Sequence, residues 1–270
     1  MSNVITRLVS PPPVVAVIPL VGLIAPRTGF GRSTLSVETV GPAIGRAFRV
    51  RRLAEVALVL NSPGGAAAQS SLIAQRIRQH AAEKGVRVTA FVEDVAASGG
   101  YWLACAADEI LCQDTSILGS IGVISASFGF TGLMERIGVE RRLYTAGERK
   151  SLLDPFLPTR EDDVARLKAV QASLHERFKA WVRERRGGRL KADEAVLFSG
   201  EFWTGGRAVE LGLADGIGEL RSTIRSRHGE DVRFALFGPA RRPWWTRLLP
   251  SPEALVAVTE ERAAWARYGL

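Results

Sequence analysis

Three short segments of this 270-residue chain carry residue types suited to acyl-transfer chemistry. In Ala97-Ser98-Gly99-Gly100-Tyr101 a small serine stands where the loop after an apolar strand runs into a helix. A hydroxyl there lies near a helix N-terminus, whose dipole favours developing negative charge. The Gly99 N–H is then placed to stabilise the oxyanion formed when Ser98 attacks a carbonyl. The same serine in the same place serves equally well as a plain N-cap. The second segment, Asn61-Ser62-Pro63-Gly64-Gly65, directly follows another strand. Its glycines let the backbone turn sharply, and the N–H groups there suit an anion or an oxyanion; a glycine pair after a strand is also the ordinary mark of a turn. The third, Ala146-Gly147-Glu148-Arg149-Lys150-Ser151, supplies a lysine. A loop lysine is ordinarily solvated, and it becomes a base only where desolvation favours the neutral amine.

A nucleophilic serine needs a base, and the chain has three histidines, His80, His175 and His228. His80 and His175 fall in charged helical stretches, and His228 ends a basic one before Gly229, so all three read as surface residues. A Ser-His-Asp triad is therefore poorly supported, and a Ser-Lys pair is the economical alternative. The two cysteines, Cys105 and Cys112, lie in apolar runs without metal-ligand spacing and read as small hydrophobic residues, with no disulfide expected.

The elements that must carry these segments alternate between strand and helix. Strands are expected at Val14–Ile24, Val56–Leu60, Val86–Val92, Glu109–Cys112 and Val232–Phe237, and helices at Glu38–Leu53 and Ala67–Lys84, the latter stopped by Gly85. The segment after Asp94 reads as a loop turning into a buried helix. From the capping-box-like Thr159-Arg160-Glu161-Asp162, a charged amphipathic helix runs to Arg186 and is ended by Gly187-Gly188. Apolar, non-alternating strands separated by helices predict an α/β fold with largely parallel pairing. By domain, residues 1–12 read as a flexible lead-in, 13–238 as one α/β domain, and 239–270 as an extension with a terminal helix at about Pro252–Tyr268.

The net charge of +8 and pI near 10.2 raise the question of a nucleic-acid partner. The arginines are scattered and no nucleic-acid module accompanies them, so the charge reads as a solvated surface. The run Pro13–Ala25 is interrupted by Pro19 and Gly22 and falls short of the ~20 apolar residues of a membrane span. It reads as a buried first strand rather than a signal peptide or an anchor. Trp244 and Trp245 beside arginines suit either packing on a neighbouring subunit or contact with a bilayer surface.

Taken together, the motifs resemble those of the signal peptide peptidase A (SppA/SohB) family of serine peptidases. The resemblance rests on NSPGG at 61–65, ASGGYWLACAAD at 97–108, GSIGV at 119–123, AGERKSLLDPF at 146–156 and FWTGGRAVELGLADGIG at 202–218, in the family's order. Ser98 and Lys150 are 52 positions apart, as in the short bacterial form. The resemblance implies a ClpP/crotonase-like fold of repeated ββα units, with Ser98 as nucleophile and Lys150 as base. It further implies Gly65 and Gly99 as oxyanion donors, and Ser120 as the residue that hydrogen-bonds the lysine amine and orients it. It implies no cofactor and no metal. Relatives form rings and cleave leftover signal peptides and other hydrophobic peptides. Many carry an N-terminal membrane anchor that has no counterpart here, so the expectation is a cytoplasmic, peripheral membrane protein acting on hydrophobic peptides as a homo-oligomeric ring.

Three other readings compete. A ClpP-type triad lacks a histidine in the stretch after Ser98, where the chain reads Gly119-Ser120-Ile121-Gly122-Val123. A crotonase-like acyl-CoA enzyme on the same fold gives no reason for the Ser98–Lys150 pair. A non-catalytic ring scaffold gives none either.

Overall fold

The computed structural model describes residues 11–26, 34–147, 149–238, 259 and 261–270. The apolar runs become strands buried on both faces, as their lack of alternation requires. These are β1 (Val14–Val21), β2 (Leu53–Ser62) and β3 (Arg87–Ala97), followed by the shorter β4 (Glu109–Cys112) and β5 (Ile117–Gly119). After them come β6 (Phe202–Thr204), β7 (Gly216–Ile217) and β8 (Arg233–Leu236). The sheet runs β6-β5-β3-β2-β1-β8, with β4 pairing both β3 and β7. Every pairing is parallel except β5 with β6. This is the mixed α/β architecture with mostly parallel pairing that the sequence predicts.

The helices are α1 (Val37–Ala47), α2 (Ala67–Lys84), α3 (Gly99–Ala104), α4 (Thr131–Ile137), α5 (Glu161–Arg186), α6 (Glu194–Leu197), α7 (Gly205–Glu210) and α8 (Leu220–His228). A capping box between Ser36 and Thr39 starts α1. The expected helix to Leu53 instead stops at Ala47, because the ladder to β1 begins at Leu53 and tertiary pairing overrides local propensity. Gly85, at φ 61°, ends α2 where the sequence places the stop. The odd-numbered residues Val15, Val17, Ala57 and Phe91 pack with Leu111, Ile224 and Val232 on one face of the sheet. Alternation sends Ala16, Ile18, Leu58 and Leu60 to the other face, where they are equally buried.

Two features matter for function. The sequence predicts that β3 stops at Val92, but the strand continues to Ala97. Thr89–Val92 pair with β4 and Val95–Ala97 pair with β5, so β3 changes partner at the fork where Glu93 and Asp94 stand exposed. The chain also divides into two compact units, Met1–Ile121 with Lys179–Leu270, and Gly122–Phe178. Among the described residues no helix is long and apolar enough to cross a membrane.

Candidate active site

Ser98 occupies the turn between β3 and α3 with φ 52° and ψ −120°. A non-glycine residue held there stores roughly 1–3 kcal/mol of backbone strain. The surroundings hold the turn from both sides. Ser98 N–H donates to the Gly119 carbonyl at the end of β5 (2.8 Å), and Trp102 N–H donates to the Ser98 carbonyl (3.0 Å). Ser98 makes no side-chain cap bond to α3, so the N-cap role that suits its position is not the one its hydroxyl plays. Its side chain is partly exposed between buried Ala97 and Gly99.

The Asn61–Gly65 turn packs directly on this serine. A methyl group on Gly64 would sit 2.8 Å from Ser98 Cβ. One on Gly99 would sit 2.4 Å from Ser70 Oγ and 3.3 Å from the Gly65 nitrogen, so only bare backbone fits between the two turns. The Gly65 carbon faces the Ile24 carbonyl in the same way, with φ 139°. Neither the Gly65 nor the Gly99 amide donates to an acceptor among the described residues. Ser120 follows the carbonyl that anchors Ser98. It too lies in the left-handed region (φ 52°), held by its N–H on the Glu201 carbonyl at 2.7 Å, and its Oγ accepts from Tyr268 Oη at 3.3 Å. The first unit thus brings Ser98, Gly65, Gly99 and Ser120 together. Lys150 belongs to the second unit, in a turn closed by its N–H on the Gly147 carbonyl (3.2 Å), with its side chain exposed.

Both cysteines and two of the three histidines are engaged away from the serine. Burial pushes the Cys105 thiol up to about 12 and the Cys112 thiol, with help from Asp114, up to about 11, so neither offers a thiolate near neutral pH. His80 stacks on Phe48 and meets Glu83 (3.2 Å). His228 is not the plain surface residue its basic context predicts: Nε2 lies 2.7 Å from Oε2 of buried Glu55. Glu55 pairs across the sheet with Arg87, eleven residues before Ser98. At ~3.3 Å per residue the His228–Glu55 contact is roughly 35 Å along β3 from the serine. Among the described residues no group of three or more His, Cys, Asp or Glu side chains is arranged to hold a metal.

One structural pair is missed by motif reading. Arg186, 2% exposed at the end of α5, forms two ion-pair contacts with Asp215 (2.7 and 3.0 Å) and donates twice to the Gly212 carbonyl. Asp215 also accepts from the Ile110 N–H at 2.7 Å. Burial opposes ionisation of Asp215, but the Arg186 guanidinium and the Ile110 amide outweigh it and hold the carboxyl below its ordinary value. Beside it, Tyr101 Oη donates to the Leu213 carbonyl at 2.8 Å, tying the serine-bearing α3 to the same segment. The available signal was a lone carboxylate among small apolar residues, Leu213-Ala214-Asp215-Gly216, which needs a buried cation as partner.

Comparison with known proteins agrees with this architecture. The model of peptidase family S49 matches residues 80–231. A protein of Brucella abortus named Na(+)/H(+) antiporter NhaA is 48% identical over 256 residues, covering 88% of this chain but 34% of that protein. A probable protease SohB of Buchnera aphidicola is 34% identical over 176 residues, covering 65% of this chain and 51% of that one. The chain thus spans about a third to a half of the length of these relatives. Among solved structures, a membrane-bound stomatin-specific protease, determined as a lysine-to-alanine variant with a substrate peptide, superposes with a TM-score of 0.55 at 14% identity. That match covers 92% of this chain and 100% of the other, a likeness of fold.

Proposed function

The chain belongs to peptidase family S49, and from that premise we propose that it is a serine endopeptidase that cleaves hydrophobic peptides, signal-peptide remnants among them, with Ser98 as nucleophile and Lys150 as general base. The observation that carries the reading is the strained Ser98 turn set against two glycine amides that have no acceptor among the described residues. A partly exposed serine held at φ 52° is accessible to a substrate, and preorganised N–H donors are what an acyl-transfer transition state requires.

In the proposed cycle Ser98 Oγ attacks the scissile carbonyl while the neutral Lys150 amine takes its proton. The Gly65 and Gly99 N–H groups receive the oxyanion. The carbon–nitrogen bond breaks as the lysine ammonium returns the proton to the leaving amine, giving an acyl ester on Ser98. Water then attacks that ester, again giving its proton to Lys150, and the proton returns to Ser98 Oγ as the acid product leaves. Ser120 orients the amine.

A lysine works as a base only in its neutral form, which desolvation favours. The second unit exposes Ile124, Phe128, Leu133, Ile137 and Tyr144, apolar surface of the kind that marks an interface. We place a second copy of the chain there, in a ring whose assembly covers the Lys150 turn. The test is hydrolysis of a fluorogenic apolar peptide. Ser98→Ala and Lys150→Ala are each expected to lower kcat by ~10³-fold or more with the fold intact. Wild-type turnover in either variant contradicts the assignment.

A further inference from the structure

Residues 261–270 touch segments on either side of the Ser98 turn. Residues 261–266 are helical. At one end, Glu261 Oε1 comes within 3.9 Å of where a methyl on Gly22 would sit. Gly22 belongs to the oxyanion-loop side, with its N–H on the Asn61 carbonyl (2.9 Å). At the other end, Tyr268 Oη donates to Ser120 Oγ at 3.3 Å, and its ring meets Phe202 edge-on at 5.2 Å. Ser98 stands between these two sides: Gly64 packs on its Cβ, and Gly119, next to Ser120, holds its N–H. Two residues beyond Tyr268, Leu270 lines a cavity of about 600 Å³ together with Phe91, Val92, Asp94 and Ile117. All these contacts lie within the first unit.

We infer that residues 261–270 form an autoinhibitory strap that competes with peptide for the mouth of the Ser98 site, Tyr268 holding the hydroxyl of Ser120. This rests on the proposal that Ser98 is the nucleophile. Release of the strap frees both the mouth of the site and the Ser120 hydroxyl, the group assigned to orient Lys150. The strap lowers apparent substrate affinity in proportion to the fraction of molecules left open, without changing the chemical step.

The test uses the whole 270-residue chain and two readouts, peptide hydrolysis and the rate at which a serine-reactive fluorophosphonate labels Ser98. Tyr268→Phe removes only the hydrogen bond and is expected to raise kcat/KM about twofold. Tyr268→Ala also loses the Phe202 contact and is expected to raise kcat/KM and the labelling rate roughly tenfold, through KM rather than kcat. A synthetic peptide of residues 261–270 added to the Tyr268→Ala protein should restore inhibition competitively. Unchanged or slower hydrolysis and labelling in both variants, or a peptide without effect, overturns the strap. Failure of the nucleophile assignment looks different: Ser98→Ala would then hydrolyse and label like the wild type, whatever stands at position 268.

Discussion

The two units of this molecule solve different problems. The first, Met1–Ile121 with Lys179–Leu270, buries nearly all of the apolar core and holds Ser98 and Ser120 in left-handed conformations that only dense packing sustains. The second, Gly122–Phe178, contains α4, which has no buried residue, and carries most of the exposed large apolar side chains among the described residues. The proposed nucleophile, Ser98, and its proposed oxyanion donors, Gly65 and Gly99, thus all belong to the first unit. The proposed base stands in a unit whose surface calls for a partner. In this account, geometry is built into the monomer and activation is supplied by assembly.

That contrast can be broken at several points. Ser98→Ala in the first unit has the largest expected effect, ~10³-fold or more in kcat with no loss of stability, read by steady-state kinetics and calorimetry. Next is Asp215→Asn, which leaves Arg186 buried beside a neutral amide; urea unfolding should show a loss of about 3–5 kcal/mol at neutral pH. Because Asp215 is held below its ordinary value, the pair stabilises the fold above the unfolded carboxylate range near ~3.9 and loses that contribution as pH falls through the lower folded value. Wild type and Asp215→Asn should therefore converge in stability in acid; a constant gap contradicts the ion-pair account. Gly99→Ala drives a methyl against Ser70 Oγ and should cost about 1–3 kcal/mol and most of the activity, even though no side-chain group is removed. The smallest effect on folding is expected in the second unit. Phe128→Asp with Ile137→Glu should change unfolding free energy by less than ~0.5 kcal/mol. The same pair should dissociate the assembly in sedimentation and reduce peptide hydrolysis; full activity from a monomeric variant contradicts the role given to assembly.

How much of this was legible in the sequence follows the same division. The helix Ala67–Lys84 with its stop at Gly85, the strand Glu109–Cys112 and the charged helix ending at Arg186 all emerge where local pattern places them, because periodicity and glycine punctuation are local signals. The continuation of β3 through Glu93-Asp94 did not, since two carboxylates read as loop; they sit at a fork where the strand changes partner, a property of the sheet and not of the segment. The helix Thr131–Ile137 is short and lies in a glycine-rich stretch without a buried face to create periodicity. Of the candidate site, the Gly65, Gly99 and Ser98 turns are recognisable because glycine and serine at strand ends report backbone demands directly. The setting of Lys150 is not, because it stands in an exposed turn whose local sequence says nothing of what packs against it. The Arg186–Asp215 pair joins residues 29 positions apart and needs the fold to be seen. Trp244 and Trp245 lie outside the described residues, while residues 261–270 of the same extension pack on their own chain's first unit.

The most direct test of the central claim is mass-spectrometric mapping of a fluorophosphonate adduct on the wild-type protein and on Lys150→Ala. A Ser98 nucleophile activated by Lys150 predicts a single adduct on the peptide containing Ser98, formed at neutral pH in the wild type and suppressed in Lys150→Ala. An adduct on another residue, or equal labelling of Ser98 with and without Lys150, contradicts it.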